Sequence, residues 1–312
     1  VRGTFDSLAL GESIAASTRA LRKHQFAVWE RLTGDPRIDQ ITTEVIRDFQ
    51  TSALRAGFAC ETIETVINAL FAVLGAASLA GLPARPKRLS APPSKSAKLT
   101  LPEFSQFLSG IPAGIAGTRG RDDAWWLAWW GLLYFSAFRL GDALRLERRQ
   151  VGGAGIEARQ TKTGGLVRVP LHPVCRRLIV DAELPREGRM FHIARKTLYR
   201  VTEGVCEASG VSGVTPQAVR VLAARQYERA HPGAGRLILG RGFQGADRYY
   251  FDAGEILGSA SEKLDVPDAM MTDAERKARA CAETSLLSAF RRLKAAERET
   301  VLKVATSLRR GA

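Results

Sequence analysis

The residues of this chain that could do chemistry are mostly cationic. Arg139 sits in Ser136-Ala137-Phe138-Arg139-Leu140-Gly141-Asp142, so a guanidinium comes immediately after an apolar stretch. Lys162 sits in Thr161-Lys162-Thr163-Gly164-Gly165, Arg220 in Thr215-Pro216-Gln217-Ala218-Val219-Arg220, and Tyr250 closes the segment that runs from Leu239-Gly240-Arg241 to Tyr249. A guanidinium is a planar, permanently charged fork that fits oxyanions, phosphate above all. No P-loop, GxGxxG fingerprint, G-x-S-x-G elbow or paired-carboxylate signature is present. The common nucleotide-dependent and hydrolytic chemistries therefore have no anchor. His24, His172, His192 and His231 form no H-x-x-x-H or H-E-x-x-H pair, and Cys60, Cys175, Cys206 and Cys281 form no C-x-x-C pair. That pattern argues against zinc.

The composition says what the cations would meet. The 312 residues carry 46 Lys and Arg against 32 Asp and Glu, a formal charge of +14 with a pI near 10.1. At 45% hydrophobic residues the chain is too apolar for a disordered polyelectrolyte, and its length suits about two domains. A folded protein this basic expects a polyanionic partner, nucleic acid before an anionic membrane surface. Scattered cysteines, and an opening Val1-Arg2-Gly3-Thr4 without a signal-peptide pattern, predict a reduced, cytoplasmic protein. Residues 65–84 and 124–138 are uncharged, but the first holds Asn68, Gly75, Ser78 and Gly81 and the second is short, so both read as buried helices rather than membrane spans.

The elements that must hold these residues follow from spacing and punctuation. Ile14, Leu21, Val28 and Leu32 mark a first helix over 11–32, stopped by Gly34-Asp35-Pro36. Thr42 or Thr43 caps a second, which carries Val45, Ile46, Phe49 and Leu54 and stops at Gly57; residues 62–79 make a third. Residues 1–82 thus read as a small helical domain. Residues 83–98 combine four prolines with Arg85, Lys87, Arg88, Lys95 and Lys98 and no acid, which reads as an extended basic linker suited to lying along phosphates. Trp125, Trp126, Trp129, Trp130, Tyr134 and Phe135 belong to a core helix rather than a base-stacking platform. Residues 155–159 and 166–171 form two strands joined by a glycine-containing turn, with Lys162 at its tip. Helices return at 174–181, 194–209 and 217–230. From Thr272 the tail is helical, with Leu286, Phe290, Leu293, Val301, Val304 and Leu308 on one stripe broken by Glu297.

In this order the boxes resemble the catalytic domain of the tyrosine recombinase (phage integrase) family. Arg139-Leu140-Gly141-Asp142 looks like the family's G-x-R-x-x-E/D box, with Ala137 at the usual glycine. Lys162, followed by Val169-Pro170-Leu171, looks like the hairpin lysine; Gln217-Ala218-Val219-Arg220 resembles H-x-x-R; Leu239-Gly240-Arg241 resembles L-G-H. Tyr250 then falls nine residues after Arg241, at the position of the nucleophile. The stretch from Ile41 to Leu82 is similar to the family's helical core-binding domain, so the resemblance covers residues from about 40 to 255.

The resemblance implies a mainly α fold with a small β-hairpin sheet, arranged as a two-domain clamp. Its parts are a core-binding domain at 1–82, the linker at 83–98, a catalytic domain at 99–265 and a helical tail at 266–312. The implied activity is site-specific recombination of double-stranded DNA, for integration or excision of a mobile genetic element, through a 3′-phosphotyrosine at Tyr250. Arg139 and Arg220 would clamp the scissile phosphate, and Lys162 would protonate the leaving 5′-oxygen, with no cofactor or metal. Four protomers would assemble on two DNA sites, the tail docking in a neighbour or on its own domain, in a nucleoid-associated cytoplasmic protein. Two positions depart from the family. Gln217 stands for a histidine and cannot accept a proton at neutral pH, and Arg241 stands for the second and offers a third phosphate donor instead of a base. Tyr249 remains an alternative nucleophile, and two other functions remain open: a non-catalytic DNA-binding protein on this fold and a type IB topoisomerase.

Overall fold

The computed structural model describes residues 16–77, 81–90, 98–116, 121–153, 155–161, 164–241 and 252–310, without the side chains of 16, 17, 295 and 307–310. Lys95, Lys162, Tyr249 and Tyr250 lie outside the described residues. The chain divides into two compact units, 1–96 and 97–312.

In the first unit α1 (Ala16–Thr33), α2 (Thr43–Arg55) and α3 (Cys60–Ala76) enclose a core of Phe26, Trp29, Ile46, Phe49, Val66, Leu70 and Leu74. Trp29 and Phe49 meet with ring centroids 5.0 Å apart. The Thr42 hydroxyl accepts from the Val45 N–H at 3.4 Å and so caps α2, as its residue type predicts. The basic segment, expected as an extended linker, is docked over its first part. As far as Ser90 it lies on this unit: the Thr43 hydroxyl donates to the Ala84 carbonyl (3.0 Å) and Gln50 Nε2 to the Lys87 carbonyl (3.3 Å). The buried carboxylate of Glu64 accepts from the Leu89 N–H at 2.9 Å and pairs with Arg85 at 3.5 Å. Arg85 also donates to Asn68 and covers the Phe71 ring. An acid hidden on α3 is what converts the extended segment into a docked one.

The second unit is built on α6 (Asp123–Ser136), after α4 (Leu101–Ser109) and α5 (Ile111–Gly114). A helix apolar on every side has to be enclosed. Around it pack α8 (Pro173–Asp181) and α10 (Pro216–Ala230), with α9 (Arg195–Ser209) against α4 and α5. Trp126, Trp129, Trp130, Tyr134 and Phe135 are all buried, as expected for a core helix, and Trp130 and Trp129 meet Phe107 and Phe191 edge-on. Gly131 permits the α6–α8 approach, since a Cβ there would lie 2.7 Å from Leu178 Cδ1. The two-stranded antiparallel sheet, β1 (Ile156–Arg159) and β2 (Leu166–Val169), pairs Ile156 with Val169 and Arg159 with Leu166. β2 stops at Pro170, which has no N–H to give to a ladder. No helix among the described residues is long and apolar enough to cross a membrane.

α12 (Ala253–Glu262) precedes a tail of two helices, α13 (Asp273–Arg292) and α14 (Ala295–Arg310). Thr272 and Glu275 form a capping box that starts α13, and Glu275 pairs with Arg177 of α8 at 2.7 Å. Farther along, no residue of α13 is buried, and Leu286 and Val304 are 70% and 53% exposed. The stripe expected along one helix is interrupted. The chain is extended at Leu293, and the Lys294 N–H donates to Glu297 at 2.7 Å, so the acid that breaks the apolar stripe is the one that starts α14.

Candidate active site

α6 ends in a left-handed residue, Ala137 at φ 49°, and the chain turns there to present Arg139 at the start of α7 (Leu140–Ala143). A glycine would take this conformation freely; a Cβ in it costs about 1–2 kcal/mol, and Ala137 bears it. Arg139 Nη1 donates to Gln160 Oε1 at 2.8 Å and lies 3.9 Å from Asp142 Oδ2. Asp142 is buried, and its Oδ1 accepts from the Thr161 N–H at 2.9 Å. One carboxylate thus holds both the first arginine and the base of the hairpin.

Arg220 lies on the first turns of α10, where Thr215 accepts from the Ala218 N–H at 3.0 Å and Pro216 occupies the first helical position. The arginine is only 5% exposed. It donates to the carbonyl of Ala137 and, at 3.1 Å, to that of Leu239. Leu239 ends α11 (Ala234–Ile238), and Gly240, at φ +71°, turns the chain so that the Arg241 N–H returns to the Arg236 carbonyl at 3.0 Å. A Cβ at Gly240 would be strained at this φ and would meet Gln160 Nε2 at 2.4 Å, so a side chain there would have to displace the Gln160 amide.

The electrostatics of this corner are one-sided. Burial, followed by repulsion from Arg139, pulls the Arg220 pKa down to about 10; Asp142 opposes the shift and Arg241 adds to it. Arg220 is still protonated at neutral pH, and for this group folding becomes more favourable as pH rises through about 10 toward the ordinary arginine range. A bound oxyanion would relieve the same repulsion without removing the proton. Beside the clamp, a concavity of about 530 Å3 is lined by Arg145, Arg189 and Arg195, and an open groove of about 1140 Å3 runs past Arg145, Arg159 and Arg168 on the hairpin.

The structure brings Arg139, Arg220 and Arg241 to one corner and leaves Gln217 exposed at the start of α10. Lys162 falls between the described Thr161 and Gly164, and Tyr250 falls between Arg241 and Asp252. Lys87, Arg88 and Lys98 are exposed, and so is Arg85, which differs in being paired with Glu64. Of the other α10 arginines, Arg225 donates to the Leu99 carbonyl and Arg229 is exposed. His172 is no base: it stacks on Phe135, accepts from the Val174 N–H, and burial pulls its pKa down to about 4. No cluster of metal-ligating side chains occurs among the described residues. Sequence reasoning missed Gln160. The signal was present, because Ile156 and Ala158 on β1 and Gln160 just after it alternate onto one buried face and the third of them is polar.

No protein-family model matches the sequence, and no curated protein matches it. Solved structures do match. A lambda integrase fragment, determined as a dimer bound to a COC′ core site, superposes with a TM-score of 0.61 over 81% of this chain and 97% of that one, at 15% identity. The chain has the tyrosine recombinase fold. A longer lambda integrase dimer on the same core site gives a TM-score of 0.62 over 81% and 77% of the two chains at 15% identity. A lambda integrase tetramer bound to a Holliday junction gives 0.60 over 78% of each chain at 16% identity. The mainly α fold with one small hairpin sheet, expected for a tyrosine recombinase from the order of the boxes, is therefore borne out.

Proposed function

We propose that this chain is a site-specific DNA recombinase that cuts and rejoins strands through a 3′-phosphotyrosyl intermediate at Tyr250. The observation that carries the reading is the Arg139–Arg220 corner. Two guanidiniums converge there on neutral partners, the Gln160 amide and the carbonyls of Ala137 and Leu239, with Asp142 the one carboxylate paired with them among the described residues. Their charge is left to meet an oxyanion.

In the forward step the Tyr250 phenol gives its proton to solvent water, its oxygen bonds to the scissile phosphorus and the 5′-oxygen leaves, taking a proton from Lys162. Arg139 and Arg220 stabilise the charge that develops on the non-bridging oxygens. Rejoining is the reverse, with a 5′-hydroxyl of the partner strand attacking the phosphotyrosine. No external energy source is needed, because one ester replaces another. Gln217 donates to the phosphate or phenol from its exposed position, and Arg241 adds a third cation. Neither takes a proton, so cleavage runs without the base a histidine would supply, a contribution typically worth ~10² to ~10⁴-fold.

Double-stranded DNA is the partner. The helical first unit and the exposed Lys87, Arg88 and Lys98, with Lys95, lie along its backbone, and the exposed apolar tail joins protomers into a tetramer. A mobile element's integration or excision in the nucleoid is the setting that suits this chemistry. Capture of covalent protein–DNA adducts from expressing cells tests the reading: wild type gives adducts clustered at one DNA sequence and Tyr250→Phe gives none. Adducts retained in Tyr250→Phe but lost in Tyr249→Phe would move the nucleophile by one residue. DNA binding without adducts in wild type would favour the second reading, a non-catalytic clamp, which the two missing histidines support.

A further inference from the structure

Gln160 belongs to none of the boxes, yet its side chain is the point where they meet. Its main chain closes the hairpin: the Gln160 N–H donates to the Gly165 carbonyl at 2.9 Å and its carbonyl accepts from the Gly164 N–H at 2.8 Å. Its side chain is 4% exposed and points the other way, taking the Arg139 guanidinium on Oε1 at 2.8 Å and giving Nε2 to the Leu239 carbonyl at 3.3 Å. Arg220 donates to that same Leu239 carbonyl. The orientation of the amide follows from its partners, since arginine can only donate and a carbonyl can only accept. No other side chain of this length supplies both functions without charge. A glutamate would ion-pair with Arg139 and lose the donor for Leu239; a methionine would lose both bonds.

We infer that Gln160 is the positioning residue that registers the Lys162 hairpin against the Arg139–Arg220 phosphate clamp while leaving the clamp's positive charge intact. The inference rests on the recombinase reading only for what is positioned. The tie itself is a property of the fold. Two further bonds from the neighbouring residue support it, Thr161 N–H to Asp142 and Arg145 to the Thr161 hydroxyl at 2.6 Å, so Lys162 begins one residue beyond a stitched base. Gly240 completes the arrangement by leaving room for the amide.

Gln160→Met and Gln160→Glu test it in the full chain. Three quantities are measured: binding to mixed-sequence duplex DNA at fixed salt, covalent adduct yield in cells, and amide hydrogen exchange of the peptide covering 159–166. The expected result is DNA binding within about twofold of wild type, adduct yield down at least tenfold in both variants and further in Gln160→Glu, and faster exchange in the hairpin but not in α6 or α8. Loss of DNA binding in parallel with adducts would overturn the inference in favour of general misfolding, as would wild-type adduct yield in Gln160→Glu or unchanged hairpin exchange in Gln160→Met. If wild type itself gives no adduct, the recombinase reading fails, and hydrogen exchange still decides whether Gln160 holds the hairpin to the clamp.

Discussion

Arg85 in the first unit and Arg220 in the second are both tied down by several bonds, and the difference lies in the charge of what ties them. Arg85 meets the buried carboxylate of Glu64, with Asn68 and the face of Phe71 completing its surroundings. Its charge is neutralised, and it serves to dock a proline-rich segment. Arg220 meets two backbone carbonyls and faces Arg139. Its charge is kept, at a cost visible in its lowered pKa. An arginine held by an acid is a fastener, whereas one held by neutral acceptors beside another arginine is a socket for an anion.

The comparison can be broken most directly at the socket. Arg220→Ala is expected to lower adduct yield by at least ~100-fold, the usual loss for a transition-state donor, with binding to mixed-sequence duplex DNA largely retained; adduct capture and a binding titration check both parts. At the fastener the expected effect is on stability. Glu64→Ala strands the Leu89 N–H and takes one partner each from Gln50 Nε2 and Arg85, and should cost about 2–3 kcal/mol in urea unfolding of the first unit. The two sites should also answer differently to a free anion. Inorganic phosphate at ten times its dissociation constant is expected to stabilise wild type by ~1.4 kcal/mol, read as a few degrees in a thermal melt. That gain should vanish in an Arg139→Ala, Arg220→Ala double variant, survive Arg85→Ala, and fade above pH 10 as Arg220 loses its proton. The smallest effect sharpens the contrast among the basic residues of the docked segment. Lys87→Ala and Arg88→Ala should each reduce the slope of log affinity against log salt by about 0.9 if both face phosphates. Arg85→Ala should reduce it less, because Glu64 already neutralises that charge.

Several features were legible because their causes are local. The aromatic run of α6, the Thr42 cap, the helical tail from Thr272 and the hairpin around Gly164-Gly165 each follow from residues a few positions apart. The separate boxes around Arg139 and Arg220 were legible in the same way. Their convergence came only from the family resemblance and not from any local cause, since Arg220 reaches Ala137 across 83 residues and Gln160 reaches Leu239 across 79. The docking of the basic segment, which reads from the sequence as an extended linker, was hidden for the same reason: the carboxylate that docks Arg85 stands in another element, 21 positions earlier in the chain.

By itself the sequence determined the types of the elements, the order of the cationic residues and the charge that calls for a polyanion. Periodicity, capping and composition act over one or two turns of chain, or over the whole of it. Only the tertiary structure decided which cations are neutralised and which are left for a ligand. That choice depends on the partner packing brings to each one: Glu64 to Arg85, carbonyls and an amide to Arg139 and Arg220.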